Sequence, residues 1–347
     1  MGRKGRSTMR AMRLYQQQPA EQNPLVLEEI PVQEPGPGQV RLRVLACGVC
    51  HTDLHIVEGD LHPPHLPLTP GHQVVGVVEA VGERRPGVQG RGQDVNVGDL
   101  VGVPWLYDVE GDCLFCQRGQ ENLCPNARFT GFDVDGGFAE TMLAEADFVL
   151  SLPEGLSEMQ AAPLLCAGII GYRSLHQADL QTGERLGLVG FGASAHLAIQ
   201  VARYWGCPVY VFTRSEEHRR HAMELGAEWA GGVEDEAPHP LDRAVIFAPS
   251  GRLVPPVLEK LRPGGTLAIN AVFMSDIPAM PYRLIYGERT LRSVANATYQ
   301  DGVDFLRLAV EIPIQATVSE YALEEANQAL QDLKHSRLNG EAVLRMV

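Results

Sequence analysis

Over roughly the first 150 residues, apolar and polar positions alternate in short runs at Val40–Val44, Gln73–Ala80, Leu100–Val103 and Phe138–Leu143, with Gly and Pro between them. Successive side chains of a strand point to opposite faces, so this texture predicts an irregular β-rich domain. From Ser157 the pattern changes. Ser157, with Gln160 three residues on, forms a capping box ahead of an apolar helical stretch. Strand and helix signals then alternate: strand Arg185–Gly190, helix Ala193–Trp205, strand Pro208–Thr213, helix Glu216–Leu225, strand Arg243–Ala248, helix Leu253–Leu261 and strand Thr266–Ala271. Such alternation implies βαβ units in a doubly wound parallel sheet, an α/β fold. A strand at Leu291–Ala295, a helix from about Asp301 to Val310, a short β-like run and a last helix from Leu323 to Arg337 complete the reading. No tandem repeat is visible.

At 347 residues the chain is too long for one ordinary core and suits two domains. The formal charge of -14 argues against a polyanionic partner such as nucleic acid or an anionic membrane face, whose affinity comes mostly from basic surface. A small molecule is the better partner. No run approaches the roughly 20 apolar residues that cross a bilayer, so a soluble protein is expected. The one basic cluster, Arg3-Lys4-Gly5-Arg6, precedes Met9 and reads as a disordered tail. Seven cysteines, unevenly spaced and partly at metal-ligand intervals, suit a reducing cytoplasm better than a disulfide framework. Cys47 and Cys207 read as small buried thiols.

Gly190-x-Gly192-x-x-Ala195 ends an apolar strand and opens a helix. Gly190 permits the tight turn, Gly192 lets the backbone approach a pyrophosphate, and Ala195 still allows close helix–strand packing. The helix N-terminus adds amide donors and a positive dipole end. About 20 residues on, where an acid would bind the adenosine ribose of NAD, stands Thr213-Arg214-Ser215. A hydroxyl followed by a guanidinium suits a 2′-phosphate, which favours NADP over NAD. Glu216 and Glu217 would oppose this if they pointed inward, and Arg214 could instead stack on adenine or lie in solvent.

Three remote stretches supply a thiolate, an imidazole and a second thiolate: Gly48-Val49-Cys50-His51-Thr52-Asp53, Pro70-Gly71-His72 and Leu165-Cys166-Ala167-Gly168. Three protein ligands leave a tetrahedral zinc one open position, the arrangement of a catalytic site. Between them lies Cys113-x2-Cys116-x7-Cys124, a second thiol group. Together these motifs resemble the zinc-dependent medium-chain dehydrogenase/reductase family, specifically alcohol dehydrogenases of the branch related to cinnamyl alcohol dehydrogenase. The resemblance runs from about Met9 to Val347.

The resemblance implies a GroES-like catalytic domain over residues 1–158 and 297–347, a Rossmann domain over 159–296, and an active site in the cleft between them. It carries the catalytic zinc ligands over as Cys50, His72 and Cys166, with zinc lowering the pKa of a bound alcohol. Thr52 then takes the proton and passes it, by the cofactor ribose, to His55 and water. Asp53 would accept the second imidazole N–H of His72, and His51 would meet the pyrophosphate. Thr213, Arg214 and Ser215 match the NADP-binding segment of the cinnamyl branch. Trp105 and Leu106 align with the substrate pocket, where an indole would favour slim primary alcohols and aldehydes. Glu110 stands at the first place of the structural-zinc pattern ahead of Cys113, Cys116 and Cys124, so a Cys3Glu site and two zinc ions per chain are expected.

Three departures stand out: Gln73 where the family has Glu, Ile170 where it has Thr, and Glu341 where many relatives place a phosphate-binding Arg. The expected function is hydride transfer between an alcohol or aldehyde and NAD(P) in a homodimer or homotetramer. The alternatives are a noncatalytic nucleotide-binding sensor of the same fold, a zinc-stabilised binding module around Cys113, Cys116 and Cys124, and a zinc-free quinone reductase.

Overall fold

Gln39–Val49 is the longest strand, and its sequence explains why the alternation underestimates it. Val40, Leu42 and Val44 are buried while Arg41 and Arg43 are not, but Ala46 to Val49 are buried without exception. The segment Ala162–Leu165 and the helix Ala326–Lys334 both pack against this strand. A strand covered on both faces reads as continuously apolar, so the period-two signal stops at Val44 although the strand runs on.

A computed structural model describes residues 7–84, 94–338 and 340–346. The basic cluster Arg3-Lys4-Gly5-Arg6 lies outside them. The chain starts with a hairpin, β1 (Thr8–Leu14) and β2 (Leu25–Pro31), that the polar-apolar pattern does not announce. Then come β3 (Gln39–Val49), α1 (His51–Glu58), β4 (Gln73–Val81), β5 (Leu100–Val103), β6 (Leu106–Asp108), α2 (Leu114–Gln117), β7 (Arg128–Phe129), β8 (Thr141–Glu145), β9 (Leu150–Ser151) and α3 (Glu158–Ala161). The expected strand Phe138–Leu143 is displaced. Phe138 and Ala139 bridge to β1 instead, Met12 N–H donating to Phe138 O at 2.8 Å, and pairing with β3 starts only at Thr141.

Next follow α4 (Ala167–Gln177), β10 (Leu186–Val189), α5 (Ala193–Tyr204), β11 (Val209–Phe212), α6 (Glu216–Glu224), β12 (Trp229–Gly231), β13 (Leu241–Ile246), α7 (Val254–Lys260), β14 (Leu261–Ile269) and β15 (Thr290–Ser293). The chain ends with α8 (Tyr299–Glu311), β16 (Val318–Ala322), α9 (Ala326–Lys334) and β17 (Glu341–Arg345).

Two compact units result. The first contains Met1–Cys166, Asn296–Arg307 and Thr317–Val347, the second Ala167–Ala295 and Leu308–Ala316. The junction expected at 158/159 therefore falls inside the first unit, and residues 308–316 belong to the second. Burial is the reason: Ala161, Ala162, Leu164 and Leu165 are at most 1% exposed and pack with β3, β4, β5 and β17. In the first unit the sheet order is β16-β17-β3-β4-β5-β9, with β8 beside β3. β8 and β17 divide β3 between them, β8 along Gln39–Arg43 and β17 along Ala46–Val49. In the second unit six parallel strands run β12-β11-β10-β13-β14-β15, the doubly wound order. No described helix is long and apolar enough to cross a membrane.

Candidate metal and cofactor sites

Cys50 ends β3's run and caps α1: with φ -123° and ψ 175° it stays extended, and its sulfur accepts from Thr52 N–H at 3.3 Å. Asp53, in the first turn, closes the box by accepting Cys50 N–H at 2.9 Å through Oδ2. Its other oxygen, Oδ1, accepts Gly71 N–H at 3.0 Å and lies 3.2 Å from His72 Nδ1. One fully buried carboxylate thus ties the first thiol, the helix and the imidazole together. His72 is left with Nε2 facing Cys50 Sγ at 3.1 Å. Cys166 comes from the break between Ala162–Leu165 and α4, where its φ -132° and ψ -68° interrupt the helical run that the sequence pattern reads as continuous.

Gly71 makes the approach possible. Its φ is +100°, and a Cβ there would lie 2.4 Å from Phe138 Cδ1 and 2.9 Å from Cys47 Sγ. Left-handed strain and core overpacking each cost about 1–3 kcal/mol. Gly71→Ala should therefore lower unfolding free energy by about 2–6 kcal/mol in denaturant titration, whereas a neutral result would mean that the loop carrying His72 can shift.

The donor atoms of Cys50, His72 and Cys166 lie within 4.8 Å of one another. Zinc bonds of about 2.3 Å to sulfur and 2.0 Å to nitrogen, at tetrahedral angles, need ligand separations of about 3.4–3.8 Å, which this cluster fits with small adjustment. Burial pushes the Cys50 thiol well above its ordinary range, and a neighbouring cation is what would hold it as the thiolate.

Around this cluster, Thr52 is half-buried in the first turn of α1, and His55 follows on the same helix. On that helix His55 Nδ1 lies 2.8 Å from Asp60 Oδ2. Glu58 instead binds Lys334 and the Ala20 N–H. His51 is exposed at the start of α1. Trp105 stands edge-on to His72, ring centroids 4.7 Å apart, and stacks on Phe129 at 5.0 Å with Phe132 at 6.0 Å. Leu106 is only 4% exposed and belongs to the core, so of the expected pair it is Trp105 that offers an accessible face.

In the second thiol group, Cys113 caps α2 and its Sγ lies 3.5 Å from Cys116 Sγ. The sulfurs of Cys113, Cys116 and Cys124 lie within 4.8 Å of one another. Glu110 reaches this group, its Oε1 accepting from Cys124 Sγ at 3.6 Å. Asn126 Nδ2, unforeseen from the spacing, donates to Glu110 Oε2 at 2.5 Å. Burial and the Cys113 sulfur push the Cys116 thiol up to about 11, so this group too needs a cation to ionise.

The second unit carries the nucleotide pattern. Gly190 ends β10 at φ +85°, where a Cβ would lie 2.9 Å from Ala248 N, and Gly192 caps α5. Ala195 is fully buried. At the end of β11, Thr213 N–H donates to Gly231 O, Ser215 Oγ caps α6 by accepting His218 N–H at 3.2 Å, and Arg214 is exposed. Glu216 turns away to Arg219, 2.6 Å from its Nη1, while Arg219 Nε donates to Thr213 O at 3.0 Å. The i,i+3 spacing of Glu216 and Arg219 was the available sign of this pairing.

Two family models match the chain. An alcohol dehydrogenase GroES-like domain matches residues 36–154, and a zinc-binding dehydrogenase domain matches 195–311. A probable alcohol dehydrogenase of Mycobacterium tuberculosis is 45% identical over 97% of both chains. Cinnamyl alcohol dehydrogenase 5 of Arabidopsis thaliana is 31% identical over 87% of each. The structure superposes on a cinnamyl alcohol dehydrogenase from Sorghum bicolor with TM-score 0.87, 28% identity and 97% coverage of both chains. The chain belongs to the zinc-dependent alcohol dehydrogenases of the medium-chain dehydrogenase/reductase family. It is an NAD(P)-dependent enzyme acting on alcohols or aldehydes, which sets aside the binding-module and sensor readings.

Proposed function

We propose that this enzyme interconverts primary alcohols and aldehydes with NADP preferred over NAD, and carries two zinc ions per chain. The observation that carries the reading is the convergence of Cys50, His72 and Cys166, held by Asp53. Zinc at that cluster supplies a Lewis acid that lowers the pKa of an alcohol or polarises a carbonyl. The dinucleotide supplies the hydride acceptor or donor.

The chain's own groups do the rest. Asp53 fixes the His72 tautomer by facing Nδ1, which leaves Nε2 for the metal. Thr52 Oγ1 accepts the substrate proton. His55, whose Nδ1 faces Asp60, exchanges the proton with solvent. Trp105, backed by Phe129 and Phe132, offers a flat apolar wall suited to slim aliphatic or aromatic substrates. Such a wall discriminates by only about 1–3 kcal/mol per methylene, so use of several aldehydes is expected. Glu110 joins Cys113, Cys116 and Cys124 around the second zinc, the Gly190–Ala195 turn takes the pyrophosphate, and Thr213, Arg214 and Ser215 take the 2′-phosphate.

Self-association into a homodimer or homotetramer is supported by the end of the parallel sheet. β15 is an edge strand, and nearby Tyr282 and Tyr286 are 70% and 69% exposed. Unpaired edges and exposed aromatics are what partner surfaces cover. The seven free cysteines fit a reducing cytoplasm.

Initial rates on a panel of alcohols and aldehydes with NADPH and NADH test the reading. Wild type should favour NADPH, and Arg214→Ala should reduce that preference by about 1.5–3 kcal/mol, the range for a hydrogen bond to a charged group. A wild type that prefers NADH, with Arg214→Ala indifferent, would refute the cofactor assignment.

A further inference from the structure

Gln73 and Glu341, noted separately in the sequence as departures from the family pattern, are one contact. Gln73 is the first residue of β4 and directly follows His72; Glu341 is the first residue of β17. Between those strands runs β3, with Gly48 paired to Gln73 on one side and to Val343 on the other. Gly48 has no side chain, so the Gln73 amide lies flat across β3, and Gln73 Nε2 donates to Glu341 Oε1. A Cβ at Gly48 would lie 2.7 Å from Gln73 Nε2 and close that passage. Both side chains are buried, Gln73 fully and Glu341 to 1% exposure.

Burial pushes the Glu341 carboxyl up to about 8, against the opposing pull of Gln73 and His72. An ionised carboxylate with one hydrogen bond would be costly in such a place. The neutral acid is compatible with the contact, because its carbonyl oxygen accepts from Gln73. Oε2 has no hydrogen-bond partner among the described residues, so the contact with Gln73 is what orients the group.

We propose that Glu341 is a positioning residue that acts through Gln73, pinning the start of β4 so that His72 holds its place in the Cys50, His72 and Cys166 set. This rests on His72 being a zinc ligand. Asp53 holds the imidazole from the α1 side; the Gln73–Glu341 bond holds the backbone next to it from the sheet side. Loss of a group that orients a metal ligand typically costs 10–100-fold in metal affinity.

The test is zinc release from the full-length zinc-loaded protein to excess chromogenic chelator, with the phase belonging to the Cys50 site identified by its absence in Cys50→Ser. Glu341→Ala should speed that phase by about 10–100-fold, and Glu341→Gln, whose carbonyl still accepts from Gln73, should restore the wild-type rate. Gly48→Ala should behave like Glu341→Ala by pushing the Gln73 amide aside. It keeps the test open if Glu341→Ala folds poorly, since Gly48 is not one of the left-handed glycines. A residue that merely stabilises the sheet would lower the thermal midpoint and leave zinc release unchanged. Release at the wild-type rate in Glu341→Ala or Gly48→Ala overturns the proposal, as does a Glu341→Gln protein that loses zinc as fast as Glu341→Ala. A wild type with no phase sensitive to Cys50→Ser would remove the metal site itself, and the role of the pair with it.

Discussion

Cys50→Ser should lower kcat/KM by at least about 10³-fold while leaving dinucleotide affinity near that of wild type. The magnitude follows from the chemistry. A metal's stabilisation of developing charge is worth several kcal/mol, and each 1.36 kcal/mol is tenfold in rate. A serine hydroxyl at this place is neutral and short, whereas the half-buried sulfur of Cys50 sits 3.1 Å from His72 Nε2 and caps α1. Dinucleotide binding is expected to survive because Gly190, Gly192 and Arg214 belong to the other compact unit. Metal analysis, a binding titration and initial rates on the same preparation check the three parts together. Wild-type turnover in a mutant shown to lack that zinc would end the assignment.

Removal of the second metal should act on stability before it acts on rate. If Glu110 completes the set with Cys113, Cys116 and Cys124, metal analysis finds two zinc ions per wild-type chain, and Glu110→Ala gives one up on mild chelation. Structural zinc contributes directly to folding. The thermal midpoint of Glu110→Ala should therefore fall, by roughly 5 °C or more given how midpoints respond to stability in domains of this size, while specific activity at low temperature persists. Glu110→Cys should restore a full set of thiolates and the midpoint. One zinc per wild-type chain, with Glu110→Ala as stable as wild type, would make Glu110 an ordinary surface loop residue.

The outer position of Glu110 sharpens this test. It is exposed, and its carboxyl is held below the usual range first by Asn126 and then by Cys113 and Cys124. Asn126 therefore offers the carboxylate a partner that does not depend on metal. The sulfurs are different: Cys116 and Cys124 are buried and have each other and Cys113 for neighbours.

Short-range order was legible in the chain because one stretch of backbone carries it. Gly190-x-Gly192-x-x-Ala195 encodes a turn, a cap and a packing contact within six residues, and the alternation from β10 to β14 follows directly from apolar runs and helical periods. Cys50 and Asp53 are three positions apart, so their shared helix start could be anticipated. Where cover by other segments changes the pattern, legibility fails: β3 outruns its alternation, β1 and β2 have too little of it, and Phe138 joins β1 rather than β3.

Chain chemistry alone determined that a thiol and histidine set, a second set of thiols and a nucleotide turn exist, since residue type and spacing suffice for that. Tertiary structure decided what meets what. Gln73 and Glu341 stand 268 positions apart, and their contact depends on the register of β17 against β3 and of β3 against β4. A slip of one residue in either ladder would turn one of the two side chains to the opposite face. No local pattern encodes that register; it comes from burying Val49, Ala342 and Leu344 in one core.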